Sequence, residues 1–310
     1  MKASLIAALA VPFLYVATCS AAPIPVTSME QRMEAVLAVE RGLSFGDDPA
    51  PPLRAEFSEQ FGHLSESELE TLSDEDLRLY LSAANLVVFY SRASDDLARL
   101  EQGFRPLETR GRVSPFDFKM MFEAYIRLRA FGDAAALSAR HPTMGHEPLP
   151  DFRNLQASIP GPSVLRLDAD GAVSRVPAGL ATVGPQVVVA AHPLCHFSAN
   201  AVRAIEQDPL LAGLFAGHTL WLMPQDSYLY LDVVGEWNRD HPDYEMRWAY
   251  QTSDWPMIKH WATPNFDFYL DGKLVTTVVG WPPEGQRDAL LAAFKDIGVA
   301  PSATPDQRSR

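Results

Sequence analysis

Cys195 combines a nucleophilic side chain with a setting that could activate it. It lies in AAHPLCHFSANAVRAIE, from Ala190 to Glu206, where an apolar run passes through a proline turn into a helical pattern. The thiolate is the reactive form of cysteine, and a helix N-terminus favours negative charge beside it. His196, when protonated, and the Ser198 hydroxyl, as a donor, would both favour the thiolate. The alternative is a buried, inert cysteine serving as a small apolar side chain. His192, Cys195 and His196 also bring one soft and two imidazole donors to a single turn, a set suited to copper or zinc. Three ligands at one turn seldom converge on an ion, so no metal and no cofactor is expected.

The chain has one other cysteine, Cys19, inside an N-terminal segment that reads as an export signal. Lys2 is followed by the apolar run SLIAALAVPFLYVAT and the small residues CSAA, the layout of a secretory signal peptide over residues 1–22. A membrane-spanning helix needs about 20 apolar residues, and no later segment is long and apolar enough to supply one. VATC loosely matches a bacterial lipobox, although Thr18 stands where Gly, Ala or Ser is usual, so Cys19 is a possible site of lipid anchoring. Cleaved or acylated, Cys19 cannot pair with Cys195, which leaves a sole free thiol in a periplasmic or secreted, Sec-exported protein. Exported proteins use cysteines mostly in pairs, so the odd one draws notice. The formal charge is -13, with 26 basic and 39 acidic residues and no Lys/Arg cluster, which argues against nucleic acid as a partner.

The elements that must position Cys195 fall into two kinds. Residues 28–145 carry hardly any strand signal and read as a helical domain. Ser73 caps SDEDLRLYLSAANLVVFYSRA, in which Leu77, Leu81, Ala84 and Val88 recur at helical spacing. Ser114 caps SPFDFKMMFEAYIRLRAFGD, with Pro115 at its first position and Gly132 as its expected stop, and a short partner helix completes a hairpin. No clean 34-residue repeat is found. Residues 146–162 are rich in proline and glycine and read as a linker; His141 and His146, at its edge, read as solvent-exposed loop residues.

From Ser163 the period changes. SVLRLDADGAVSRVPA alternates around Asp-Gly as a hairpin, and PQVVVAA is a β-branched run suited to a strand buried on both faces. The helix HFSANAVRAIEQ, the strand HTLWLMPQ, a hairpin turning at Asp271-Gly272 and the helix EGQRDALLAAFKDIG follow in that order. The segment from Gln225 to Ala262 holds Trp237, Trp248, Trp255 and Trp261 and is expected to pack as an extra helix and strand. Residues 301–310 read as a flexible tail.

This order, the cysteine turn and ATPNFDFYLDGKLVTTVVGW together resemble the thioredoxin-like superfamily over residues 163–300. The resemblance implies an α + α/β chain: a helical domain, then a three-layer α/β/α domain. It places Cys195 at the first active-site cysteine and matches Thr263-Pro264 to the family's threonine and cis-proline. The sequence departs from the family where Cys-x-x-Cys becomes Cys195-His196-Phe197-Ser198. Without a second cysteine the intramolecular release of a mixed disulfide cannot occur. The spacing of a peroxiredoxin cysteine is also missing. The resemblance implies thiol-disulfide exchange, isomerisation or mixed-disulfide capture, with Cys195, Ser198, His196, Thr263 and Pro264 as site residues. Its partners would be exported proteins or thiols. The other implied role is a redox-inactive binding module for exported clients.

Overall fold

The computed structural model of the chain describes residues 28–44 and 46–300; the segment read as an export signal, with Cys19, and the segment 301–310 read as a tail lie outside them. From residue 28 to 140 the described chain is helical: α1 (Met29–Gly42), α2 (Ala50–Phe61), α3 (Glu66–Leu69), α4 (Asp74–Ser91), α5 (Ser94–Thr109), α6 (Pro115–Arg127) and α7 (Phe131–Arg140). Four of these start at a serine, Ser28, Ser65, Ser73 and Ser114, whose hydroxyl accepts the amide three residues on. The spaced residues Leu77, Leu81, Ala84 and Val88 of α4 are buried.

One expected boundary moves. Gly132 lies inside the first turn of α7, and α6 ends earlier, at Arg127. The break is made by Arg129, which adopts φ +61° while the Ala130 amide donates back to the Tyr125 carbonyl. A left-handed residue after a helix is usually glycine. Here the Arg129 guanidinium is buried and donates to the carbonyls of Ala249 and Tyr250, both at 2.8 Å. That tertiary anchorage overrides the local preference.

The second half is one eight-stranded mixed sheet. Its strands are β1 (Phe152–Arg153), β2 (Ser163–Leu167), β3 (Val173–Pro177), β4 (Pro185–Ala190), β5 (Thr219–Met223), β6 (Met246–Ala249), β7 (Asn265–Leu270) and β8 (Lys273–Val279), in the order β1-β3-β2-β6-β5-β4-β7-β8. Helices α8 (His196–Gln207), α9 (Pro209–Phe215), α10 (Leu231–Asp240) and α11 (Arg287–Asp296) complete it. β4 runs parallel to β5 and antiparallel to β7, and β7 and β8 form the hairpin turning at Asp271-Gly272. That arrangement of β4, α8, β5, β7, β8 and α11 is consistent with a thioredoxin-like α/β fold. The segment after Gln225 supplies α10 and β6, and β6 is the strand that joins β5 to β2.

The strands alternate as a two-sided sheet should. Val187 and Val189 of β4 pack, with Trp221, Phe266 and Phe268, against the helix-bearing side; Val188 packs, with Leu220, Leu222 and Tyr269, on the other. Burying each such side chain contributes roughly 1.5–3 kcal/mol. The three-layer expectation holds on one face only. The second face is covered by Trp255, Met257, Ile258 and Trp261 from the non-helical run before β7. Large aromatic and aliphatic side chains there exclude water without a helix to carry them.

The segment read as a linker is tied down. Phe152 of β1 stacks on Phe131 of α7 with ring centroids 3.9 Å apart. Both oxygens of Glu147 accept backbone amides, those of Leu229 at 2.9 Å and Leu231 at 3.0 Å. His141 packs edge-on to Phe104 and Phe118 and meets Glu108 at 2.8 Å, so it is a packed residue and not the solvated loop histidine expected. His146 is exposed but lies over the Phe122 ring, with centroids 4.8 Å apart. No helix among the described residues is long and apolar enough to cross a membrane.

Candidate active site around Cys195

β4 ends at Ala190, the chain turns through His192-Pro193-Leu194, and α8 begins with Cys195 as its N-cap. The turn closes when the Cys195 amide donates to the His192 carbonyl at 2.9 Å. The thiol is therefore presented at the positive end of a twelve-residue helix. Cys195 is partly exposed. Beside it, Leu194 and Phe197 leave 58% and 43% of their surface in solvent, an apolar rim that the core does not use.

Thr263 and Pro264 come to the sulfur from far along the chain. The Thr263–Pro264 peptide is cis, and Pro264 immediately precedes β7, the antiparallel neighbour of β4. The pairing of Ala190 with Asn265 sets the end of β7 beside the start of the cysteine turn. Cys195 Sγ lies 3.3 Å from the Thr263 carbonyl oxygen, to which the protonated thiol donates.

Opposed effects act on the thiol. Burial pushes its pKa up; hydrogen bonding from the Thr263 side chain, from the amide and hydroxyl of Ser198 and from the Phe197 amide pulls it down, and the net result lies below the usual thiol value. The Thr263 carbonyl works against that result, because it can bond only the protonated form. The Phe197 and Ser198 amides are the donors that an N-cap side chain ordinarily satisfies. They close no cap hydrogen bond to the neutral thiol and are oriented to receive a charged one.

Ser198, where a second cysteine would stand, is fully buried, and its hydroxyl oxygen accepts the His192 amide at 3.3 Å. His196, the other residue of the motif, is exposed and stacks on Phe197 with ring centroids 3.8 Å apart. It contributes to the rim and makes no hydrogen bond to the thiol. His192 faces inward instead: its Nδ1 accepts the Leu194 amide at 3.1 Å and its ring meets Tyr230 edge-on at 5.2 Å. Burial holds the His192 imidazole below its usual pKa, which favours the neutral ring that accepts this bond. His192, Cys195 and His196 thus point to different neighbours, and among the described residues no three His, Cys, Asp or Glu side chains form a metal-ligand group.

One neighbour of the site, Tyr230, and one buried acid of β7, Asp267, escaped the sequence reading. Tyr230, in SYLYLDVV, sits in an alternating run that imitates a strand, yet it adopts φ +54° and starts α10. The Glu147 carboxylate holds the amides on either side of it, which places its ring against His192. Asp267 lies two residues beyond Asn265 on the same side of β7 and is buried. Burial pushes its carboxyl up, against a hydrogen bond donated by Thr277 at 2.7 Å. A single acid inside an apolar strand carries no spacing signal that could have revealed it.

No protein-family model matches the chain, and no curated protein matches it. Among solved structures it is similar to a thioredoxin-like protein from Bacteroides caccae, with 12% identity, a TM-score of 0.26, and coverage of 89% of this chain and 95% of the other. That likeness is too loose to bear on function, and the description of the fold rests on the strand order and pairings given above.

Proposed function

We propose that this protein is an exported, thioredoxin-like thiol-disulfide exchange protein that works through one nucleophile, Cys195. The observation that carries the reading is the sulfur's position: N-cap of α8, partly exposed, with the Ser198 and Phe197 amides and the Thr263 segment around it. In the proposed step the Cys195 thiolate attacks one sulfur of a client disulfide. A bond forms between Cys195 Sγ and that sulfur, the client's S–S bond breaks, and the departing thiolate takes up a proton from water. Ser198 cannot resolve the product. Release therefore falls to a thiol from outside the motif. If it is another cysteine of the same client, the net result is isomerisation with no change of oxidation state. If it is a free low-molecular-weight thiol, its thiolate bonds to the client sulfur, the bond from that sulfur to Cys195 Sγ breaks, and Cys195 leaves as the thiolate.

The test is the pH profile of iodoacetamide alkylation on the folded protein lacking residues 1–22, in which Cys195 is the sole cysteine. Half-maximal rate well below pH 8.5, the usual thiol value, is expected. Alkylation only above about that pH, or only on unfolding, would overturn the reading. A second reading, a redox-inactive module that holds exported clients, draws support from the buried Ser198 and from the exposed apolar rim of Leu194 and Phe197. It expects client retention to survive Cys195→Ser, whereas the exchange reading expects covalent capture to vanish.

A further inference from the structure

The helical and sheet halves enclose a cavity of about 840 Å³ that no residue of the Cys195 site lines. Its walls are the turn from Tyr90 to Ser94 between α4 and α5, Leu128 at the end of α6, Gln225, and the run from Gln251 to Ser253 with Ile258 and Trp261. Three arginines gather at this junction. Arg92 lines the cavity and its Nη1 donates to Thr252 Oγ1 at 3.0 Å. Arg129 is spent on the Ala249 and Tyr250 carbonyls. Arg127 is only 5% exposed; its Nη2 donates to Ser227 and its Nη1 is buried without a partner.

Among the described residues, none of the three makes a salt bridge. Asp226 favours the charged form of all three from a distance and Glu123 that of Arg127 more strongly, but Asp226 Oδ1 accepts the Ser227 amide and Glu123 is engaged by Lys119 and Tyr228. Burial lowers the pKa of Arg127 and of Arg129 to about 10, more than the carboxylates around them restore. This is unexpected in a chain with 39 acidic residues against 26 basic ones. Clustered, partly desolvated cations are costly unless anionic groups join them, and here the carboxylates nearby act without forming an ion pair.

Two other features of the wall agree. α5, sixteen residues long, has Ala93 as N-cap and hence no side-chain acceptor for its first-turn amides, and Ala93 and Ser94 line the cavity. Of the two acids of that first turn, Asp96 is already paired with Arg54 at 2.6 Å and Arg99 at 3.6 Å, and Asp95 is exposed. The side chains of Ser94, Gln251 and Ser253 line the cavity and make no hydrogen bond within the described residues. Asp48, the carboxylate of the lining, accepts the Ala50 amide at 3.1 Å.

We propose that this cavity binds a small organic carboxylate, its anionic head on Arg92 and the uncapped start of α5, its polar body against Gln251, Ser253 and Trp261. The volume suits an organic molecule and exceeds the need of a bare ion. One accessible guanidinium with Asp48 and Asp226 nearby suits a monoanion better than a dianionic phosphate. The planar fork of arginine matches a carboxylate with two parallel hydrogen bonds. The carboxylate could belong to a peptide C-terminus or to a sugar acid.

Isothermal titration of the whole protein distinguishes these sources with two pairs of probes: triglycine against triglycinamide, and glucuronate against glucose. The expected result is saturable binding of one carboxylate, with its neutral counterpart about 10-fold weaker or more, the scale of a lost charge-assisted hydrogen bond. Arg92→Gln should weaken the same probe by a similar factor, and Arg92→Lys by less, because charge is kept and only the fork is lost. Circular dichroism of both variants checks that they are folded. Binding of neither carboxylate, equal binding of a neutral counterpart, unchanged binding by folded Arg92→Gln, or preferential binding of inorganic phosphate would each overturn the proposal.

Discussion

The Cys195 sulfur is held between a carbonyl that favours the thiol and donors that favour the thiolate, Thr263 first and Ser198 after it. The Ser198 hydroxyl and amide both lower the thiol's pKa, and the hydroxyl oxygen also satisfies the His192 amide. Ser198→Ala should move the alkylation midpoint of Cys195 to higher pH and cost about 1 kcal/mol of stability from the lost hydrogen bond. An unmoved midpoint in a folded variant would show that Thr263 and the amides set the thiol's pKa without the Ser198 hydroxyl. The linkage has a definite sign: the folded pKa lies below that of the unfolded thiol. The stability gained from the thiolate is fully present above about pH 8.5 and is lost as pH falls through the folded value. Asp267 behaves in the opposite way, because its folded pKa is raised. Its cost is absent below about pH 3.9, the usual aspartate value, and is complete once pH exceeds the folded pKa. Asp267→Asn keeps an acceptor for Thr277, so urea denaturation should find the variant more stable at pH 7, with the difference closing at pH 3. A less stable variant at pH 7 would mean that the buried carboxylate is favoured by a partner not yet identified.

At the scale of elements, the end of α6 shows local preference yielding to tertiary contact. Glycine would adopt φ +61° more easily than arginine. Arg129→Gly should nevertheless destabilise the protein by roughly 2–3 kcal/mol, because the Ala249 and Tyr250 carbonyls lose charged donors. Thermal unfolding decides between the two effects, since a raised melting temperature would show that backbone conformation dominates. Tyr230 is a second such case, held left-handed by the Glu147 carboxylate on its neighbouring amides. Arg129 stands at a junction between the helical half and the sheet and Tyr230 at the start of α10, and both keep a conformation that their own side chains do not favour.

The whole molecule is bound together by more than a covalent connection. A single cluster of buried apolar side chains runs from Val36 in α1 to Ile297 beyond α11. Hydrogen bonds donated by Arg127, Arg129 and Tyr228 cross between the halves, and Glu147 of the connecting segment accepts the Leu229 amide. Calorimetric unfolding of residues 28–300 is therefore expected to show one cooperative transition. Residues 163–300 expressed alone should unfold at lower denaturant or aggregate, since removing the helices exposes part of that cluster. Two well-separated transitions, or an excised half as stable as the whole, would show that the halves fold independently.

What the sequence determined by itself was local. Serine caps, β-branched runs, the Asp-Gly turns and the boundary of α8 at His196 follow from short-range preferences of backbone and side chain, and each could be read in a few neighbouring residues. The order of Cys195, Thr263-Pro264 and the closing helix was legible too, because topology leaves its trace in the sequence of elements. Tertiary structure alone decided that the Thr263 carbonyl meets a sulfur 68 residues away. It also decided that β6 bridges β5 and β2, that one face of the sheet is covered without a helix, and that Arg129 ends α6 where Gly132 was expected to. These contacts depend on strand register and on burial summed over the whole core, and neither is a property of any short stretch of chain.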